Sequence, residues 1–140
     1  MTQASGHFHP GDSAPPLEKL VTQDIIDRYA EASGDHNPIH VDPEFSAKGP
    51  FGRTIAHGMM TLAYAGQMLN RWTDGAFDRS GEIEVAFTGP VFVGDTIRLT
   101  AQVDSIDETG SAVCTLRCTS GERQVLIGSV RLADATEKGD

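Results

Sequence analysis

Asp35 and His40 are the residues whose types and spacing could do chemistry together. They stand in the run Ala32-Ser33-Gly34-Asp35-His36-Asn37-Pro38-Ile39-His40-Val41-Asp42-Pro43. A carboxylate and an imidazole so spaced cannot share a helix face. A turn through Asn37 and Pro38 would bring them together. Pro38 fixes its own φ and restricts Asn37, so such a turn is stiff. Stiffness suits general acid/base catalysis, where hydrogen-bond reach comes before a suitable pKa. Asn37 reads as a brace that bonds its own backbone rather than as a reacting group.

The elements around this run decide whether it can be held. Met1 to Pro16 is polar and broken by Gly6, Pro10, Gly11, Pro15 and Pro16, and reads as a flexible N-terminal segment. Leu17 to Val21 suits a short edge strand. Thr22 can cap a helix with Asp24 in its first turn and Ile25, Ile26, Tyr29 and Ala30 at helical spacing, stopped by Gly34. The connection from Asp35 to Ala56, punctuated by Pro38, Pro43, Gly49, Pro50 and Gly52, reads as a long structureless loop, a kind of segment that is usually functional. His57 to Trp72 is apolar on more than one face and predicts a central, buried helix. Gly58 and Gly66 weaken that helix locally, so each calls for backbone exposure or close packing.

From Glu82 the pattern turns to period two. Ile83, Val85 and Phe87 alternate with polar or small neighbours up to Gly89-Pro90. The segments Asp95–Asp104, Ala112–Thr119 and Gln124–Leu132 follow, separated by turn sequences. One buried helix and a run of antiparallel strands predict an α+β domain with a sheet wrapped around the helix. The domain spans residues 17–133, and 134–140 read as a flexible C-terminal tail.

Composition removes several classes of function. The 140 residues make one domain. The net charge of −9 argues against nucleic acid, whose phosphates need Lys and Arg. A local anion contact stays open, with Lys48, Arg53, Arg71 and Arg79 as candidates near the loop and helix. No apolar run approaches a membrane span, and Met1 to His9 lack the features of a signal peptide. Cys114 and Cys118 point to the same face of one strand but sit too far apart for easy bridging, so they read as small apolar residues. These features predict a cytoplasmic, reduced protein. Asp35, His36, His40, Asp42 and His57 are divided by prolines and match no usual ligand spacing, so no metal is expected. Neither a Gly-x-Ser-x-Gly motif nor a phosphate-cradling loop is present, so no cofactor is expected either.

Tyr29 with Ala32-Ser33-Gly34-Asp35-His36-Asn37-Pro38-Ile39-His40 resembles the signature of the MaoC-like (R)-specific enoyl-CoA hydratases and 3-hydroxyacyl dehydratases. Ile55-Ala56-His57-Gly58-Met59-Met60 resembles that family's second motif, and Pro90-Val91-Phe92-Val93-Gly94-Asp95 its third. The resemblance implies a hot-dog fold and an acyl thioester, on coenzyme A or a carrier protein, as substrate. It makes Asp35 and His40 the catalytic dyad that holds the reacting water. Gly58 becomes the residue whose backbone N–H meets the thioester oxygen, and His57 shapes the loop before it. His36 falls at a variable position, and Gly66 stands where some members carry a serine, which suggests a wider acyl tunnel. Members pair as homodimers or as heterodimers with a second hot-dog chain. A carrier-protein dehydratase subunit and a non-catalytic acyl-binding subunit are the competing readings.

Overall fold

The computed structural model describes residues 7–133. The expectations for residues 1–6 and 134–140 lie outside that range. Five strands form one antiparallel sheet: β1 (Leu17–Leu20), β2 (Glu82–Phe87), β3 (Thr96–Ile106), β4 (Ala112–Ser120) and β5 (Arg123–Leu132), in the order β1-β3-β4-β5-β2. Five helices precede β2: α1 (Gln23–Ser33), α2 (Pro38–Val41), α3 (Pro43–Ala47), α4 (Gly58–Thr73) and α5 (Ala76–Ser80). The register runs from Leu17 opposite Leu99 at one edge to Glu82 opposite Arg131 at the other.

Period-two patterning gives the sheet its single buried face. Ile97, Leu99, Ala101 and Val103 of β3 point inward, as do Ala112, Cys114, Leu116 and Cys118 of β4. In β5 the consecutive Val125 and Leu126 are both buried. The pairing register shifts beside them, between Cys118 and Thr119, and such an irregularity re-aims side chains. Met60, Ala65, Met68, Leu69 and Trp72 of α4 join this face in one core. Each fully buried Leu or Ile contributes roughly 1.5–3 kcal/mol. Burial also pushes both cysteine thiols up to about 12, with the charge of Asp104 adding to the effect at Cys114. They behave as small apolar residues, as the sequence suggests.

Two differences from the sequence reading concern the chain before the sheet. The start of the domain was placed at Leu17, yet Phe8 and Ala14 are buried. Gly11 N–H donates to Val103 C=O at 2.8 Å, and Ala14 N–H to Ala101 C=O at 2.9 Å, so this segment extends along β3. Phe8 meets the Trp72 ring edge-on at 5.6 Å. Backbone bonds to β3 and the buried Phe8 and Ala14 together anchor this polar stretch.

The connection from Asp35 to Ala56 is not structureless, because it contains α2 and α3. Each has proline at its start, and each is capped by the residue before it: Asn37 Oδ1 accepts Ile39 N–H and Asp42 Oδ1 accepts Phe45 N–H. Four- and five-residue helices are too short to show a period.

Candidate active site

α1 ends where the chemistry begins. Gly34 adopts the left-handed conformation, with φ of 81°, and its N–H closes the helix on Ala30 C=O at 2.8 Å. Asp35 follows with its N–H on Ser33 Oγ at 3.1 Å, and its own Oδ1 accepts Asn37 N–H at 3.2 Å. One carboxylate oxygen is thus committed to the turn. The other, Oδ2, lies 4.0 Å from His40 Nε2. Asn37 braces the turn by its side-chain cap and its backbone, as expected.

The other ring nitrogen fixes the orientation of His40. Nδ1 stands 2.8 Å from Ile55 C=O, which can only accept, so Nδ1 carries the hydrogen. When the ring is neutral, Nε2 is then left with its lone pair toward Asp35. The backbone beneath is held by two bonds, and a third braces one of them. Ile55 N–H donates to Ile39 C=O at 3.1 Å, and Gln23 Nε2 donates to His40 C=O at 2.8 Å. Thr54 Oγ1 donates to Gln23 Oε1 at 2.6 Å. His40 is buried, whereas the Asp35 side chain is about half exposed, at 53%.

His57 joins the same cluster. Its Nε2–H donates to Asp35 C=O at 2.9 Å, which ties the Asp35–His40 loop to the start of α4. Its ring stacks on His40 with centroids 3.9 Å apart, and Tyr29 packs against it at a tilt, with centroids 4.8 Å apart. Gly58 is the first residue of α4, where an N–H has no partner within the helix and the dipole favours negative charge. A Cβ on Gly58 would come within 3.2 Å of the Phe87 ring, so a larger residue would crowd this spot. Gly58, His40 and Thr61 share one cavity of about 190 Å³, otherwise walled by residues such as Ile55, Phe87, Val91 and Val125.

Asp35, His40 and His57 offer ligand atoms within 4.8 Å of one another. Imidazole lone pairs lie in the ring plane, and a metal ion needs both nitrogens aimed at it from about 2.0–2.1 Å. Rings stacked 3.9 Å apart and inclined by 24° aim along offset, nearly parallel lines. The arrangement suits proton transfer better than ion binding.

Other expectations find different places. His36 is exposed, and Asp42 is spent on capping α3. Gly66 does not line the cavity within this chain; a Cβ there would meet only Phe77, at 3.9 Å. The chain's own geometry therefore gives no support to a tunnel widened by Gly66. Sequence reasoning missed Gln23 and Thr54, whose positioning roles come from a contact across 31 residues. It also gave no role to Thr61.

Residues 9–120 match the family described as MaoC like domain. The chain belongs to that family. It is 36% identical to the 3-hydroxyacyl-thioester dehydratase Z of Mycobacterium tuberculosis, over 84% of this chain and 79% of the relative. It is also 32% identical to the 3-hydroxybutyryl-CoA dehydratase of Methylorubrum extorquens, over 80% and 72% respectively. The solved (R)-hydratase of Aeromonas caviae superposes with a TM-score of 0.79 and 27% identity, covering 90% of this chain and 97% of that one. The MaoC-like chain thus has the hot-dog fold, with α4 as the wrapped helix. With relatives named for adding or removing water, it is an enzyme of the hydro-lyase class.

Proposed function

We propose that the protein adds water to trans-2-enoyl thioesters, giving (R)-3-hydroxyacyl thioesters, and catalyses the reverse dehydration. The observation that carries this reading is the fixed tautomer of His40. Its Nδ1–H is held by Ile55 C=O, and its lone pair at Nε2 faces the free oxygen of Asp35. At 4.0 Å the two groups can both hold one water molecule. That water breaks an O–H bond, its oxygen bonds to C3, and the dyad takes its proton. The π electrons move toward the thioester oxygen, and the dyad then returns a proton to C2. The oxygen gathers negative charge in between, and the Gly58 N–H at the start of α4 meets it. His57 keeps the Asp35 backbone in place, and Asn37 keeps the turn. The reaction uses no metal and no cofactor beyond the thioester's own carrier.

The carrier itself, coenzyme A or a carrier protein, is part of the proposal at a coarser level. Arg53 and Arg123 both lie over the Phe92 ring, at 4.2 and 5.0 Å, next to the cavity-lining Val91. A phosphate-bearing arm of either carrier suits that corner. Met59 and Phe87, 58% and 50% exposed beside the cavity, favour pairing with a second hot-dog chain, identical or different. No helix among the described residues is long and apolar enough to cross a membrane. A cytoplasmic location accords with that and is part of the same proposal.

Hydration of crotonyl-CoA, followed by loss of the conjugated thioester absorbance, tests this reading. Wild type is expected to turn over, with Asp35→Asn and His40→Ala each about 10²–10⁴-fold slower and still folded. Retained activity in either variant would exclude the dyad. A wild type inactive on short and long enoyl thioesters of both carriers would favour an acyl-binding subunit.

A further inference from the structure

Two threonines on α4 form an internal control. Both are buried, Thr61 at 2% and Thr73 at 3% exposure. Thr73 Oγ1 donates to Leu69 C=O, four residues back, at 2.8 Å and accepts Phe77 N–H at 3.1 Å. A helical threonine commonly settles its hydroxyl on the preceding turn in this way. Thr61 has the equivalent acceptor in His57 C=O, which its own N–H reaches at 3.4 Å. Its hydroxyl nevertheless has no hydrogen-bond partner among the described residues. A buried polar group without a partner is unfavourable and unusual, and an absent ligand is one reason for it.

The place of Thr61 identifies that ligand. It lines the cavity shared by His40 and Gly58, and His40 is the only other lining residue with a polar side chain. Gly58 and Thr61 are three residues apart, so they lie on one face of the helix. A helical side chain leans back over the turn before it, which carries the Thr61 hydroxyl toward the level of the Gly58 N–H. Among the described lining residues, no other side chain on the helix could give the thioester oxygen a donor beside the Gly58 backbone N–H.

We infer that Thr61 Oγ–H donates the second hydrogen bond to the thioester carbonyl oxygen, completing with Gly58 N–H a two-donor oxyanion site. The inference rests on the hydratase reading above. As the oxygen of water bonds to C3, the π electrons of C2=C3 shift through C1 to the carbonyl oxygen. They return when C2 takes its proton, and the threonine keeps its hydrogen throughout. A donor that meets more charge in the transition state than in the bound substrate raises kcat rather than lowering KM.

Thr61→Val and Thr61→Ser, compared with wild type on crotonyl-CoA, test this. Valine keeps the volume and deletes the hydroxyl. Its kcat is expected to fall about 10²-fold, with KM nearly unchanged. Its melting temperature should be equal to or above that of wild type, since an orphaned hydroxyl has been removed. Serine should recover most of the lost kcat. The inference is overturned by a Thr61→Val enzyme with wild-type kcat, or by a loss confined to KM. A lowered melting temperature with no rescue by serine would also overturn it, by making Thr61 a packing residue. An inactive wild type would instead defeat the hydratase reading, and the oxyanion site with it.

Discussion

The two ends of α4 are built on opposite terms. At the C-terminal end the side-chain polar groups of Thr73 and Asn70 are engaged. Thr73 bonds Leu69 C=O and Phe77 N–H, and Asn70 Oδ1 accepts Asp78 N–H at 3.0 Å. Gly75 N–H closes on Asn70 C=O at 2.9 Å, and Arg71 supplies a cation in the last turn. At the N-terminal end His57 gives no side-chain cap, and the first turn has no acidic residue. His57 Nδ1 and Thr61 Oγ1 are buried without partners among the described residues. The closed end stabilises the fold. On the proposal above, the open end keeps the Thr61 hydroxyl and its first N–H groups for the thioester, and it is the end where His57 stacks on His40. On that proposal, the contrast separates groups that hold the helix from groups that meet a substrate.

This contrast can be broken most forcefully at His57. His57→Ala removes the bond to Asp35 C=O and the ring stacked on His40. Misplacement of this kind should lower kcat by about 10²-fold. The variant's circular dichroism would check that the fold survives. Equal activity would mean that the dyad holds its place without help from α4.

A smaller effect of the opposite kind is expected at the closed end. Thr73→Val leaves Phe77 N–H without its acceptor, which should lower unfolding stability by about 1–3 kcal/mol in urea while kcat stays at its wild-type value. Loss of activity there would erase the distinction between the ends.

The smallest effect concerns the sheet on which α4 lies. Cys114 and Cys118 are pushed up to about 12 by burial, with the charge of Asp104 adding at Cys114, so the folded protein keeps them protonated. Iodoacetamide near pH 8 should leave both unlabelled until urea unfolds the chain. Their raised folded values mean that the associated stability is whole below the unfolded thiol value of about 8.5. It is then lost as pH rises toward 12. Rapid native labelling would show that the core opens more readily than its packing implies.

How much of this was legible in the sequence follows from the range of the interactions. β2 to β5 could be read because alternation along a strand reports directly which side is buried. α4 could be read because its apolar residues exceed what one face needs. Asp35 and His40 were legible as residue types on either side of a stiff turn, and Gly58 was singled out by resemblance. The short α2 and α3 were announced only by Asn37-Pro38 and Asp42-Pro43, which were read as loop punctuation. Phe8 was lost in a polar segment. The Gln23–Thr54 contact had no local signal, because its partners are remote in sequence and common in type. Thr61 could not be singled out, since only the structure shows that its hydroxyl, unlike that of Thr73, is left without a partner. Gly66 was read by resemblance, and the packing against Phe77 gives it a different neighbour.

Backbone amide shifts of the inactive Asp35→Asn protein, recorded with and without crotonyl-CoA, would test the central claim most directly. The largest changes are expected at His40, Gly58 and Thr61, with the amides from Thr73 to Phe77 unmoved. Changes centred on the closed end of α4, or none at saturating ligand, would contradict the assignment of its open end as the thioester site.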